Sequence, residues 1–195
     1  MNKPLAVTLL VAILLTPACS LAQGFGAALG GWSTTGARPE DDPARGLRLS
    51  GYFDRAWQQH ARLRLEGAFT QAGFTRDFPT RLNRHVSENS IELAVHAMSR
   101  PLGTTKLRAF AGPVISVGIG CGTDGENDSN GRVGCDESGI GNDGNTRVGG
   151  AVGLHGELGA AGRLTLDLRA QANTIAAARG RGAAVSLSLG FRTPR

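Results

Sequence analysis

Residues 162–174 read GRLTLDLRAQANT and change polarity at every step. Leu164, Leu166, Leu168, Ala170 and Ala172 share one parity, and Arg163, Thr165, Asp167, Arg169 and Gln171 share the other. An extended strand turns successive side chains to opposite faces, so this segment has one apolar and one charged face. Two folds use such a strand. A soluble sheet buries the apolar face and wets the charged one. A membrane barrel turns the apolar face to lipid and encloses the charged one.

The rest of the chain repeats the pattern. In 60–71, Leu63, Leu65, Gly67 and Phe69 oppose Arg62, Arg64, Glu66 and Thr70. In 89–97, Ile91, Leu93, Val95 and Ala97 oppose Glu92, Ala94 and His96. In 183–191, Val185, Leu187, Leu189 and Phe191 oppose Ser186, Ser188 and Gly190. Eight extended segments are predicted, at 23–32, 46–55, 60–72, 87–98, 105–118, 147–158, 162–174 and 183–192. Their lengths suit a tilted crossing of a bilayer. The intervening connections alternate long (33–45, 73–86, 119–146) and short (56–59, 99–104, 159–161), with 175–182 between these extremes. Antiparallel strands with long links at one end and tight turns at the other describe an up-and-down barrel.

Composition agrees. The 195 residues hold 29 Gly and 41% hydrophobic residues, too apolar for a disordered chain and too rich in Gly for a helical one. The net charge of +5 is carried by scattered arginines, with only Lys3 and Lys106 as lysines. No basic run, zinc spacing or aromatic RNA-binding motif accompanies that charge, so nucleic acid is not an expected partner.

The opening MNKPLAVTLLVAILLTPACSLAQG has Lys3, an apolar run from Leu5 to Leu15, then Pro17 and small residues. That is the layout of a secretory signal over residues 1–22, with Ser20 and Ala22 placed for cleavage before Gln23. Lipidation of Cys19 is the competing reading; Thr16-Pro17-Ala18 is a poor lead-in to it. No later apolar stretch is long enough for a membrane helix, so any insertion of residues 23–195 must use strands. Cleavage leaves Cys121 and Cys135, and an even pair in an exported chain reads as a disulfide, with two free thiols as the alternative.

These readings decide the face question. A small soluble barrel needs large apolar groups inside, whereas the apolar faces here hold many Ala and Gly residues, which lipid chains can cover. Charges of both signs can pair inside a lumen, but each would cost a few kcal/mol facing lipid at the midplane. The charged face, Arg48 included, is expected inward, with Arg62, Arg64, Glu66, Glu92, His96, Arg108, His155, Glu157, Asp167 and Arg169 as one lumen network. Trp32, Tyr52, Phe53, Trp57, Phe69, Phe74 and Phe78 are the candidate interface anchors. Leu166→Arg is expected to block insertion, and Thr165→Arg to be much milder.

The chain resembles the small eight-stranded outer-membrane β-barrels, porin-like or like the barrel domain of outer membrane protein A. The matching stretches are GFGAALGGW, RLRLEGAFTQAGF, SIELAVHA, LRAFAGPVISVGIGC, GRLTLDLRA and AVSLSLGFR, in that order over nearly all of the mature chain. The resemblance implies eight antiparallel strands, both termini periplasmic, assembly by the barrel-insertion machinery, and a body with no enzymatic site or cofactor. The expected protein is an all-β, eight-stranded up-and-down transmembrane barrel. It is monomeric, exported to the outer membrane of a Gram-negative-type bacterium, and structural or loop-presenting rather than a wide pore. The rival is a soluble periplasmic barrel that binds a small apolar ligand.

Three stretches could carry chemistry. In the third long connection Glu126, Asp128, Asn130, Gly131 and Glu137 occupy places one, three, five, six and twelve of a calcium-loop pattern. Glu stands where Asp should begin it, and strands flank it, so a solvated turn-rich loop is the heavier reading. His96 and His155 lie near Glu92 and Glu157 in sequence, as a metal or catalytic pair could, but lumen hydrogen bonding explains them as well. Arg179 and Arg181 could meet lipopolysaccharide phosphates, with a polar rim turn as the plainer reading.

Overall fold

The computed structural model describes residues 24–34, 45–57, 61–77, 83–125, 146–159, 163–175 and 183–193. These form eight strands: β1 (Gly24–Thr34), β2 (Arg45–Ala56), β3 (Arg62–Asp77), β4 (Asn83–Met98), β5 (Leu107–Gly125), β6 (Thr146–Leu158), β7 (Leu164–Ile175) and β8 (Ala183–Arg192). Each pairs antiparallel with its sequence neighbours, and β8 closes on β1, so the sheet is a closed barrel in up-and-down order. Closure leaves no edge strand with unpaired backbone groups, which a lipid environment requires.

The register fixes the geometry. Stepping across the pairs Gly24↔Asp54, Asp54↔Arg64 and Arg64↔His96, then past Gly112 to Ala151, Gln171 and Ala184, the path returns to β1 at Thr34. Position 24 thus meets position 34, a stagger of ten residues, which for eight strands means a tilt of roughly 40°. Such a barrel has a lumen that side chains can fill.

The faces sort by parity. Phe25, Leu29, Leu47, Leu49, Leu93, Ile115, Val152, Leu168, Val185, Leu187 and Leu189 all stand exposed on the outer wall. Arg48, Arg62, Arg64, Glu66, Glu92, His96, Arg108, His155 and Arg169 are buried inside. Polarity is inverted relative to a water-soluble protein, as the alternation in 162–174 requires.

Strand ends fall within two residues of expectation at the short-turn end and depart further at the other. β3 and β4 stay paired out to Asp77↔Asn83, so the predicted long link 73–86 shortens to residues 78–82. β5 runs on to Gly125, so Cys121 lies within the strand, paired with Glu88, and the third long connection begins at 126. Beyond a bilayer both faces of a hairpin meet water. The alternation then lapses, as it does in AGFTRD, while the backbone ladder gains as much from pairing as before. Pro113 sits in β5 without an N–H to donate, and the β4–β5 pairing skips Val95 and His96 opposite it.

Both described termini, the β4–β5 turn and the ends of the β2–β3 and β6–β7 hairpins share one end. Thr193 N–H donates to Phe25 O at 2.8 Å, Ser99 N–H to Ala109 O at 2.8 Å, and Gly159 takes a φ of 74° in the β6–β7 turn. Connections 35–44, 78–82, 126–145 and 176–182 leave from the opposite end and lie outside the described residues. Residues 1–22, Cys135, Glu126, Asp128, Asn130, Gly131, Glu137, Arg179 and Arg181 lie outside them too.

Candidate functional site

The alternating strands turn one residue in two inward, several of them charged, and the stagger brings residues from distant strands to the same height. Two clusters result. Near the short-turn end Arg64 is the hub: its Nε donates to Asp54 Oδ1 at 2.7 Å and its Nη2 to Asp54 Oδ2 at 3.1 Å. Its Nη1 reaches Asp167 Oδ1 at 3.2 Å, and the guanidinium lies 3.8 Å from the centre of the Tyr52 ring. His155 Nδ1 is 2.7 Å from the same Asp167 oxygen. Glu157 Oε1 accepts from Arg62 at 2.6 Å and from Arg192 at 2.8 Å.

The second cluster lies further up the lumen. Glu66 accepts from Arg48 at 2.9 Å and Arg169 at 3.4 Å. Glu92 stands 3.4 Å from Arg48 and 3.6 Å from Arg169, and accepts from Gln171 at 3.1 Å. His96 Nδ1 lies 3.4 Å from Glu66 Oε2 without hydrogen-bond geometry, while its ring packs on Phe110 with centroids 4.9 Å apart. Arg108 donates to the Ser99 carbonyl at 2.7 Å. Removing these charges from water is costly, and only close pairing of this kind offsets it.

All ten predicted lumen residues point inward, and nine of them join these two clusters. Arg48 and Gln171, both on the polar parity, join the clusters as well, and two further participants, Asp54 and Arg192, are ones sequence reasoning does not single out. Asp54 and Arg192 each continue the inward parity to the last residues of their strands, which is the signal that would have found them. Tyr52 is a correction. It is 4% exposed inside the barrel, hydrogen-bonded to Thr165 at 3.3 Å, and is not an interface anchor. Its parity with Arg48, Ser50 and Asp54 decides this, not its amphipathic ring. Gly26 faces it across the lumen wall, and a Cβ there would strike the Tyr52 ring, so the small residue makes room for the large one. Trp57 and Phe69 do stand exposed, and Trp32 donates its indole N–H to Gln71 O at 3.1 Å. Phe78 lies outside the described residues, and only the backbone of Phe74 is described.

Chemically the interior holds closely paired charges of both signs. His155 and Asp167 form the acid–base half of a hydrolytic constellation. The group next to the imidazole, however, is the Arg64 guanidinium at 3.4 Å, which is no nucleophile. Among the described residues no three His, Cys, Asp or Glu side chains gather as metal ligands.

No protein-family model matches the chain, and no curated protein matches it. Solved structures do. The chain is similar to the attachment invasion locus protein Ail of Yersinia pestis, with TM-score 0.53, 11% identity, and coverage of 89% of this chain and 100% of that one. It is similar to OprG of Pseudomonas aeruginosa, with TM-score 0.51, 10% identity, and coverage of 90% and 98%. It is similar to Neisserial surface protein A, with TM-score 0.50, 11% identity, and coverage of 89% and 97%. The fold is that of the small eight-stranded outer-membrane barrels.

Proposed function

We propose that the protein is a monomeric outer-membrane barrel whose filled body anchors a display of connections at one end, and that it is neither a wide pore nor an enzyme. One observation carries the reading: large apolar side chains stand on the outer wall while matched charges fill the lumen. An apolar ligand would have no matching interior among Arg48, Glu66, Arg64 and Asp54, which argues against a soluble apolar-ligand carrier. Residues 1–22 are read as a cleaved export signal, and the barrel-insertion machinery and outer-membrane lipid as the partners met on the way. Calcium at Glu126, Asp128, Asn130 and Glu137, and lipopolysaccharide at Arg179 and Arg181, are not needed for this role.

Expression in a Gram-negative host tests it. The mature chain should begin at Gln23, fractionate with the outer membrane, and run as a heat-modifiable band. Reconstituted vesicles should swell in small sugars no faster than protein-free vesicles. Recovery in the periplasmic fluid, or rapid swelling, would overturn the reading.

Within the display, Cys121 and Cys135 are proposed to form a disulfide across the third connection. Closing about fifteen residues stabilises by roughly 3 kcal/mol at most in the chain-entropy model, and that restraint falls on the loop, not the strands. Cys121→Ser should leave the heat-modifiable barrel intact while exposing residues 126–134, beyond the end of β5, to protease. Two free thiols in the unreduced protein, counted by alkylation and mass measurement, would refute the bond.

A further inference from the structure

The exposed charge at the short-turn end of the barrel is of one sign. At the short-turn end every exposed charged side chain among the described residues is a cation: Arg100 and Lys106 in the β4–β5 turn, Arg163 before β7, with Arg55 partly exposed at the end of β2. The carboxylates that belong to this end, Asp54 and Glu157, turn inward onto Arg64, Arg62 and Arg192. The sequence at the other end mixes signs: Glu40, Asp41, Asp42, Glu126, Asp128, Asp136 and Glu137 stand against Arg38, Arg45, Arg81, Arg132, Arg179 and Arg181.

We propose that this collar binds the headgroups of anionic phospholipids in the leaflet at the short-turn end; the proposal rests on the membrane reading above. Three features select a lipid over a protein partner. The cations adjoin the end of the apolar wall, Lys106 beside Leu107 and Arg163 beside the exposed Leu164, at the level where headgroup phosphates begin. They are spread over three separate points of the circumference, which suits a ring of small headgroups better than one docked surface. Trp57, 63% exposed, stands at the same level, where an indole favours the lipid–water interface. Each basic residue near an anionic surface shifts binding by about fivefold, and the effect fades as salt screens it.

The test reconstitutes the full chain in nanodiscs of equimolar phosphatidylglycerol and phosphatidylcholine, then counts retained lipids by mass spectrometry after detergent exchange. Phosphatidylglycerol should be retained about threefold or more over phosphatidylcholine at low salt. The combined Arg100→Gln/Lys106→Gln/Arg163→Gln variant should retain the two lipids equally, and Arg45→Gln at the opposite rim should keep the preference. If the triple variant inserts poorly, Arg100→Gln/Lys106→Gln, confined to one turn, should still weaken the preference measurably. An inserted wild-type barrel with no preference overturns the collar but leaves the barrel reading standing, as does a preference that survives neutralisation or follows Arg45. Failure of the wild-type chain to insert at all overturns both.

Discussion

An Arg64→Leu barrel should unfold in urea with a stability lower by about 3–5 kcal/mol, measured in lipid vesicles by loss of the heat-modifiable form. The expectation follows from the position of Arg64 as hub. It satisfies both oxygens of Asp54, one of Asp167, and the face of Tyr52. Removing it leaves Asp54 with only the longer 3.6 Å approach of Arg192, and Asp167 with His155. An unpaired charge in a dry lumen is what makes breaking a buried pair costlier than never having had one. The double variant Arg64→Leu/Asp54→Asn should therefore regain a measurable part of the loss, because the charge left stranded is gone. A deficit below about 1 kcal/mol, as for an exposed ion pair, would show the lumen to be wet and the pair screened. A double variant no better than the single would show that lost packing, not lost pairing, sets the effect.

How much of this was legible before any coordinates depended on range. Parity is a property of adjacent residues, so the strands, the inward face and the buried histidines could be read from 162–174 and its counterparts. Cross-barrel partners could not. Glu66 on β3 meets Arg48 on β2 and Arg169 on β7, and the last of these depends on the ten-residue stagger, which no local pattern records. Strand ends beyond the apolar band were illegible for a different reason. With water on both faces, nothing selects alternation, although Asp77 and Asn83 still pair. At Tyr52 parity outranks residue type: the amphipathic ring suits a membrane interface, but its position in β2 turns it inward. Burial of a tyrosine is acceptable where its hydroxyl finds a partner, here Thr165, and its ring a cation, here Arg64.

The wall itself should respond in the opposite sense to the lumen. Leu154, Leu168 and Leu187 are register partners on β6, β7 and β8, and form an outward belt with Leu168 near the middle of its strand. Leu168→Arg should reduce stability by roughly 2–4 kcal/mol, since a guanidinium at mid-depth faces acyl chains with nothing to pair with. Leu168→Ala should cost far less, because lipid flows into the space. Inside, truncation is costly: Tyr52→Ala should cost about 3–5 kcal/mol, because a packed lumen cannot collapse around the void beneath Arg64 and Thr165. Thr165→Arg is the wrong inward control, although its parity suggests tolerance. Thr165 is fully buried under Tyr52, and an arginine there has no room. Urea titrations of the three variants in the same vesicles decide the matter. If Leu168→Ala proves as damaging as Tyr52→Ala while Leu168→Arg folds like the wild type, the apolar wall does not face lipid. The inside and outside of this barrel would then have been assigned the wrong way round.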